Sequence, residues 1–334
     1  MNIFLFGEHS RRTPLAYEPY RAILPKGVNV VDDLKKADCL VAGFDKDLMD
    51  NSSLIADNPK IPSSVPIFVI SEEPLWESVW ARDPSSKYVN LDCGLRYKQL
   101  GYFSSDLFRF TKLPYYLTTD DAFLSRYIQL FAKCLKKSPV ELYHDWSAAP
   151  HHASFLFEKR LDPCYEVLDE QGELIGLSCF RSRLASGLTA SKVQVSGLGW
   201  SSQTPRQALV DWHLDKLAAC RGTFLQGAIE NTYHRDYVTE KIFDAYACSA
   251  VPIVWGPEDS RVWEFASVNA SLNVSGASER VAAQRVLDYK PTLATAEAYL
   301  DCLNYVFKTR LNSDVLWAER RQLLARLLSE LEQF

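Results

Sequence analysis

The residues with the most chemical potential lie in one stretch, 230–246, which begins where a predicted strand ends and finishes inside a predicted helix. In open α/β sheets, ligands bind beyond the carboxyl ends of strands and near helix N-termini, where free N–H groups attract anions. Thr239 can cap this helix, and Glu240 and Lys241 fall in its first turn. Because a lysine there opposes the helix dipole, an anionic ligand such as a diphosphate would explain it. A solvated Glu–Lys pair is the competing interpretation.

The segment 230–257 resembles the donor-binding signature of the α-1,3/1,4-fucosyltransferases, which form glycosyltransferase family 10. It reads ENTYHRDYVTEKIFDAYACSAVPIVWGP, and the family carries Glu-Asn, then Tyr-Val-Thr-Glu-Lys or Tyr-Ile-Thr-Glu-Lys, then a Val-Pro strand ending in Gly. The resemblance implies that Lys241 contacts the diphosphate of GDP, and that Asn231 and Tyr237 contact the phosphate and nucleotide side. It also implies that Glu240 faces the fucose, where a carboxylate can stabilise positive charge on the ring carbon.

Arg183 and a glycine-containing turn fit the same resemblance. Arg183 is followed ten residues later by the stretch 193–199, VQVSGLG, and the family has a basic residue, a helix and a small glycine turn in this order. The resemblance implies that Arg183 presents its planar fork to the diphosphate, so that the protein need not hold a metal. Arg181 is the competing candidate, and a simple surface arginine is the other alternative.

An acidic pair ends a buried strand in the first half of the chain. Glu72 and Glu73 follow the apolar stretch 67–71, IFVIS, and precede Pro74. An inverting transfer needs a general base that takes the proton of the acceptor hydroxyl. Family members place a glutamate at the end of this strand after a small residue, which implies that Glu72 is the base. Glu73 is its rival, and an acidic loop before a proline is the structural alternative.

Short apolar runs that alternate with helical patterns predict an α/β fold with mostly parallel sheets. The predicted strands are 2–6, 28–31, 37–44, 66–71 and 88–91 in the first half, and 193–196, 223–228 and 251–255 in the second. A length of 334 residues suggests two domains. We place the boundary in the irregular stretch 138–151, which gives an N-terminal acceptor-binding domain over 1–150 and a C-terminal GDP-fucose-binding domain over 151–334.

The resemblance implies a GT-B architecture, which has two Rossmann-like domains with a cleft between them. The last predicted helix, 314–334, carries leucines at helical spacing. We interpret these leucines as facing a core, with the helix packing back on the N-terminal domain. A membrane-binding helix is the alternative.

Composition and motifs exclude several functional classes. A formal net charge of −5 gives no general attraction to nucleic acid, and no run of about 18 apolar residues could span a bilayer. The eight cysteines form no CxxC pair, so we interpret them as reduced core residues of a cytoplasmic protein. The adjacent His151 and His152 lack further ligands at metal spacing, and Asp45-Lys46-Asp47 is interpreted as a solvated turn.

The predicted function is an inverting transfer of L-fucose from GDP-fucose to O3 or O4 of GlcNAc or of a similar sugar. Its partners would be GDP-fucose and an oligosaccharide or glycolipid acceptor, with no nucleic acid, no transmembrane segment and no required cofactor; stimulation by a divalent cation stays open. The resemblance implies a soluble bacterial enzyme of glycan or lipopolysaccharide biosynthesis, cytoplasmic or peripheral at the inner membrane. Two alternatives remain: a GT-B enzyme for another nucleotide sugar, and a non-catalytic carbohydrate- or nucleotide-binding protein.

Overall fold

The computed structural model describes residues 1–52, 55, 65–80, 83–92, 94–168, 175–188, 191–200 and 208–333. The chain forms two compact units: one combines Met1–Asp121 with Ser313–Phe334, and the other is Ala122–Asn312. Each unit contains a parallel or mostly parallel β-sheet together with helices. The predicted α/β fold class is therefore confirmed.

A six-stranded sheet forms the centre of the first unit. Its strands are β1 (Asn2–Phe6), β2 (Asn29–Val31), β3 (Cys39–Ala42), β4 (Ile67–Ile70), β5 (Tyr88–Asn90) and β6 (Arg96–Leu100). They lie in the order β2-β1-β3-β4-β6-β5, and all neighbours are parallel except β5 and β6. Every residue of β3 and β4 is buried, which explains why these strands are continuous apolar runs in the sequence. All five strands predicted for this half are observed.

Strand β6 is the one strand of this sheet that the sequence pattern does not predict, because Lys98 and Gln99 make it look polar. Both side chains are nevertheless buried. Lys98 forms an ion pair with Glu330 at 2.9 Å, and the amide of Gln99 donates to the carbonyl of Pro84 at 2.7 Å. Partners distant in sequence therefore satisfy polar groups that the local pattern marks as exposed.

The helices described in this unit before residue 121 are short. Among the described residues, the α-helices are α1 (Glu18–Arg21), α2 (Asp45–Asp50) and α3 (Pro74–Trp80), and the 3₁₀ helices are Glu8–Arg12, Pro14–Ala16, Leu34–Lys36 and Tyr115–Thr118. Asp45 and Asp47, in the first turn of α2, are both buried. Tyr97 donates its hydroxyl to Asp45, and the backbone N–H groups of His9 and Gly43 donate to Asp47 at 3.2 Å. The prediction of a solvated turn is therefore wrong, because the 3₁₀ helix after β1, the residue after β3 and strand β6 supply donors to these acids.

The second unit contains a five-stranded parallel sheet and a small antiparallel pair. Its strands are β7 (His151–Leu156), β8 (Ile175–Gly176), β9 (Val193–Ser196), β10 (Thr223–Gly227), β11 (Thr232–Tyr233), β12 (Val251–Val254) and β13 (Leu272–Asn273). The larger sheet has the order β13-β12-β10-β7-β9, which places β10 at its centre, and β8 pairs with β11. The predicted strands 193–196, 223–228 and 251–255 correspond to β9, β10 and β12.

The second unit begins earlier than the sequence predicts. The α-helices that the structure describes in it are α4 (Asp121–Cys134), α5 (Pro139–Ser147), α6 (Ser178–Ser186), α7 (Trp212–Ala219), α8 (Lys241–Ala247), α9 (Glu279–Asp288) and α10 (Leu293–Thr309); the 3₁₀ helices with described bounds are Pro163–Tyr165 and Arg261–Glu264. Helices α4 and α5 pack within this unit: Tyr127 lies 5.7 Å from Phe243, and Trp146 lies 5.5 Å from Phe224, between ring centroids. The division consequently falls after Asp121 rather than near residue 150.

The last helix, α11 (Ser313–Glu332), returns to the first unit. Leu323, Leu324 and Leu327 are buried in one apolar cluster with Ile3 and Phe68. The leucine spacing seen in the sequence thus serves a core. No helix among the described residues has the length and apolar character that a membrane span requires.

Candidate functional site

Residues 230–257, called here the predicted donor segment, follow the carboxyl end of β10, which is the central strand of the second unit's larger sheet. Gly227 ends this strand, and a Cβ there would lie 2.4 Å from the ring of Phe155, so only glycine permits the contact. Ala228, Ile229 and Glu230 follow directly. In parallel α/β sheets this edge is where ligands bind.

Glu230 fixes the approach to helix α8. Its carboxylate accepts hydrogen bonds from the backbone N–H of Thr239 at 2.9 Å and from the hydroxyl of Thr239 at 2.7 Å. It also forms an ion pair with Lys241 at 2.6 Å, and the Lys241 ammonium donates to Thr239 Oγ1 at 2.8 Å. Lys241 is therefore a partly exposed cation held by two neighbours at the first residue of α8.

The start of α8 differs from the sequence prediction. The N-cap residue is Glu240, whose side chain makes no capping hydrogen bond. The hydroxyl of Thr239 is bonded to Glu230 and Lys241 instead. The prediction that Thr239 caps the helix is therefore wrong, because these two side chains engage the hydroxyl before the helix begins.

Glu240 is buried and lies against a second lysine, Lys216 of α7. The Lys216 ammonium donates to Glu240 Oε1 at 3.0 Å and forms an ion pair with Asp244 Oδ2 at 2.5 Å. Lys241 approaches the same oxygen of Glu240 more loosely, at 3.8 Å. Burial alone would lower the pKa of Lys216, but the charges of Asp244 and Glu240 outweigh it and raise the pKa well above its ordinary value. Lys216 is consequently a charged partner of Glu240.

Two further side chains complete this buried cluster around Asp244. The hydroxyl of Tyr127 donates to Asp244 Oδ1 at 2.6 Å, and His213 Nε2 lies 2.9 Å from the same oxygen. Burial, followed by the charge of Asp244, raises the pKa of Tyr127 well above its ordinary value, so Tyr127 remains a neutral donor. Arg126 contacts the other ring nitrogen of His213 at 3.0 Å. The network therefore links α4, α7 and α8 through side chains.

Asn231 and Tyr237, which lie within the predicted donor segment, are both buried. The backbone carbonyl of Asn231 accepts hydrogen bonds from Leu177 N–H at 2.9 Å and from the hydroxyl of Ser178 at 3.2 Å, which ties the start of α6 to the donor segment. Tyr237 lines a crevice whose walls also include Glu230, Tyr233, Val254 and Trp255. The aromatic and acidic lining lies within the same stretch that the sequence singles out.

The two arginines of α6 have different environments. Arg183 has a 43% exposed side chain that forms ion pairs with Glu166 and, at 3.3 Å, with Glu279. Arg181 is buried, and its guanidinium donates to the carbonyl of Ile229 at 3.4 Å. The structure therefore brings Arg181 to the end of β10 beside the donor segment, whereas Arg183 faces two acids elsewhere.

The glycine turn after β9 supports the position of Arg181. Gly197 has φ +116°, and a Cβ on it would lie 2.4 Å from the carbonyl oxygen of Phe157. The ring of Phe157 in turn lies under the Arg181 guanidinium, 4.8 Å from its Cζ. Only glycine accepts both this φ and this contact, so the turn and the arginine are structurally connected.

Glu72 and Glu73 follow β4 in the first unit and share one cation. The Nε of Arg12 donates to Glu72 at 2.6 Å, and its Nη2 donates to Glu73. Burial lowers the pKa of Arg12, but Glu73 and Glu72 outweigh this and raise it well above the ordinary value. The side chain of Glu72 is 2% exposed and that of Glu73 is 14% exposed. Both rivals for the role of base are thus oriented by Arg12.

A third acid of the first unit, Glu77 of α3, is buried near the same edge of the sheet. It accepts a hydrogen bond from the backbone N–H of Tyr102 at 3.1 Å. A Cβ at Gly101 would lie 2.2 Å from Glu77 Oε2, so this glycine is required for the contact. Burial raises the pKa of Glu77 from 4.5 to about 8.

Sequence reasoning missed four charged residues that organise these sites: Arg12, Lys216, Glu230 and Asp244. Glu230 and Asp244 lie inside the stretch 230–246 and could have been singled out there. Lys216 and Arg12 have no comparable signal, because they lie 24 and 60 residues from Glu240 and Glu72. Within the described ranges, no group of three or more His, Cys, Asp or Glu side chains is arranged to hold a metal ion.

Comparisons with known proteins found similarity over most of the second unit and the start of the last helix. Residues 181–322 match the family model described as glycosyltransferase family 10 (fucosyltransferase) C-term. An alpha-(1,3)-fucosyltransferase 4 from Bos taurus is 37% identical over 93 residues, which cover 27% of this chain and 23% of that protein. The matched part is thus less than a quarter of this relative's length.

Solved structures were also found that resemble the chain over most of its length. A crystal structure of an alpha1,3-fucosyltransferase with GDP-fucose has 14% sequence identity and a TM-score of 0.49, and covers 97% of this chain and 90% of that chain. A structure of an alpha1,3-fucosyltransferase with GDP has 16% identity and a TM-score of 0.46, with the same coverage.

Proposed function

We propose that this chain, whose residues 181–322 match the model of glycosyltransferase family 10 (fucosyltransferase), transfers L-fucose from GDP-fucose to a hydroxyl of a glycan acceptor. One observation carries the proposal. At the end of β10, inside the segment that matches the family, a partly exposed lysine (Lys241) adjoins a buried carboxylate (Glu240), and each is held by its own partners. A cation for the departing diphosphate and an anion for the sugar are the charges that a transfer from a nucleotide sugar requires.

Two cations are proposed to hold the diphosphate. Lys241 supplies a point charge, since its present partner Glu230 leaves the side chain 19% exposed. Arg181 supplies the planar fork, because it is buried beside Ile229, and guanidinium groups bind phosphates in a bidentate manner. Arg183, which the sequence favours for this role, remains the rival; its ion pairs with Glu166 and Glu279 support a structural role instead.

The proposed reaction is a single displacement that inverts the anomeric centre. Glu72 takes the proton of the acceptor hydroxyl, and the oxygen attacks the anomeric carbon of fucose as the bond to GDP breaks. Glu240 stabilises the positive charge that develops on the sugar ring, and Lys241 and Arg181 stabilise the negative charge of the departing GDP. Because side chains neutralise this charge, we propose that turnover persists in EDTA. The proposed acceptor position is O3 or O4 of GlcNAc or of a similar sugar.

The decisive experiment incubates the full chain with GDP-fucose and a panel of oligosaccharide acceptors, and determines the product linkage by NMR. Transfer of α-linked fucose from the β-linked donor supports the proposal, and retention of the donor configuration contradicts inversion. Thermal-shift measurements with GDP, GDP-fucose, GDP-mannose and CMP identify the donor, because a ligand at 100 times its Kd adds about 2.7 kcal/mol of stability. Binding without transfer to any acceptor, or a preference for another nucleotide, would argue against a fucosyltransferase.

A matched pair of variants assigns the arginine. We expect Arg181→Met to weaken GDP binding by about 30-fold or more, since truncating one partner of a buried charge contact costs about 2–5 kcal/mol. Arg183→Met changes the same charge on the same helix, and we expect GDP affinity within about threefold of the unsubstituted chain because exposed ion pairs contribute little. Calorimetric titration with GDP measures both, and the reverse order would return the role to Arg183.

A further inference from the structure

Lys216 lies outside the segment 230–257. It nevertheless lies closer than Lys241 to Glu240, the carboxylate that the proposed function places at the sugar. Its ammonium is 3.0 Å from Glu240 Oε1, whereas Lys241 is 3.8 Å from the same oxygen. Lys241 has closer partners, Glu230 and Thr239. Of these two lysines, Lys216 is therefore the one that holds the Glu240 carboxylate within hydrogen-bond distance.

Lys216 also forms an ion pair with a second acid, Asp244. Its second partner, Asp244, is fully buried and lies one helical turn after Glu240 on α8. Tyr127 of α4 and His213 of α7 contact the other oxygen of Asp244 at 2.6 and 2.9 Å. The ammonium thus sits between two carboxylates of one helix face, one of which is anchored by two additional side chains.

From this arrangement we propose that Lys216 is a positioning residue for fucosyl transfer: it holds Glu240 in place while Lys241 engages the donor diphosphate. The inference rests on the proposed function. If Lys241 were the only cation near Glu240, a phosphate that attracts the Lys241 ammonium would also release the carboxylate. Because Lys216 also donates to Glu240, we expect the carboxylate to keep one partner that the donor does not contact.

The electrostatic consequence concerns the two acids. Glu240 and Asp244 lie one turn apart in a buried region, where like charges repel strongly. Lys216 compensates both. Without it, Glu240 would be pushed away from Asp244 and towards Lys241, and so away from the position where we propose that it stabilises the ring charge.

The test compares kinetic constants and stability for Lys216→Met in the full chain. We expect kcat to fall about 100-fold, the loss expected when a reacting group is displaced by about 1 Å. The KM for GDP-fucose and the Kd for GDP should stay within about threefold, because Lys241 and Arg181 are unchanged. Lys133→Met, which removes one exposed lysine from the same unit, is the matched control and should leave kcat unaltered.

Three more variants separate positioning from a merely structural role. Lys216→Arg keeps the charge and should recover kcat to within about tenfold of the unsubstituted chain. Asp244→Asn keeps the contact between Lys216 and Glu240, so kcat should also stay within about tenfold of the unsubstituted chain. The same substitution should lower stability, because Asp244 is the more deeply buried partner of Lys216. If Lys216→Met does not fold, Lys216→Gln decides, with an expected fall in kcat of about tenfold or more because the charge is lost while a donor remains.

The outcomes are distinct. The inference would be overturned if Lys216→Met or Lys216→Gln had the same kcat as the unsubstituted chain. It would also be overturned if kcat fell in proportion to the loss of stability across all variants, with Asp244→Asn the least active. An unsubstituted chain that transfers no fucose would overturn the proposed function, and this inference with it. Rates that fall at Lys216 with GDP binding preserved and with recovery in the Arg variant would establish the positioning role.

Discussion

The two carboxylates proposed for catalysis, Glu72 and Glu240, have unlike surroundings, although both are buried and both contact a cation. Glu72 shares Arg12 with its neighbour in sequence, Glu73, and the Arg12 side chain is 26% exposed. Glu240 shares Lys216 with Asp244 one helical turn away, and the Lys216 side chain is only 10% exposed. The cation of the first cluster is therefore the more exposed of the two. The second cluster joins side chains of the three helices α4, α7 and α8.

This difference matches the two chemical tasks. A general base must meet an incoming hydroxyl and accept its proton, so a partner near the surface that can move is an advantage. A group that stabilises developing charge works best when it is oriented in advance and does not reorganise. We therefore expect substitutions in the first cluster to affect proton transfer, and those in the second to affect the placement of charge.

The largest expected effect distinguishes the two acids of the first cluster. We expect Glu72→Gln to lower kcat by about 10² to 10⁴-fold, the usual contribution of a general base, with GDP affinity unchanged. Glu73→Gln is the control with the same change of charge and should lower kcat by less than about tenfold. Initial rates of fucose transfer measure both. A larger loss at Glu73 would exchange the roles of the two residues.

The next effect concerns Glu77, whose pKa burial raises to about 8. Between its ordinary pKa of 4.5 and 8, the folded chain binds this proton more tightly than the unfolded chain. The stability contributed by the proton is therefore complete below pH 4.5 and is lost as pH rises through 8.

Because each pKa unit corresponds to about 1.4 kcal/mol, we expect the loss from pH 5 to pH 9 to be on the order of 4 kcal/mol. Glu77→Gln should abolish most of it, and urea unfolding at several pH values measures the difference. Glu18→Gln, an exposed position in the same unit, should keep the dependence. If the Glu77→Gln and unsubstituted chains lose stability equally, the Glu77 carboxyl is not the cause.

A smaller effect tests the rigidity of the second unit. Gly197→Ala would place a Cβ 2.4 Å from the carbonyl oxygen of Phe157 at φ +116°, and we expect it to cost about 2–3 kcal/mol of unfolding free energy. Gly276→Ala is the control, since it also has positive φ but nothing within 4 Å, and should cost about 1 kcal/mol. Equal costs would show that the contact with Phe157 does not restrain the turn.

The smallest effect tests the fork of Arg12. Arg12→Lys keeps the charge but cannot donate from two fixed nitrogens to Glu72 and Glu73, so we expect a loss of about 1 kcal/mol in stability and a modest fall in kcat. Arg11→Lys changes an exposed neighbour and should have no effect on either. Should Arg12→Lys transfer fucose at an unaltered rate, the base does not need this orientation.

The sequence predicts those features of the fold that depend on neighbouring residues, and it misses those that depend on distant contacts. The continuous apolar runs predicted β3 and β4, because a strand buried on both faces leaves that record in consecutive residues. Strand β6 escaped because Lys98 and Gln99 find partners in Glu330 and Pro84, which no local pattern records. The domain boundary was placed too late because the rings of Tyr127 and Trp146, which tie α4 and α5 to the second unit, look like ordinary helix residues in the sequence.

The sequence by itself determined the α/β class, most strands and the stretch that contains Glu240 and Lys241, because periodicity and a contiguous signature are properties of neighbouring residues. Tertiary structure decided which cation each acid would have, and that Arg181 rather than Arg183 would lie beside the donor segment. The reason is physical: the strength of an ion pair depends on distance and burial, and the fold sets both when it joins segments such as α7 and α8.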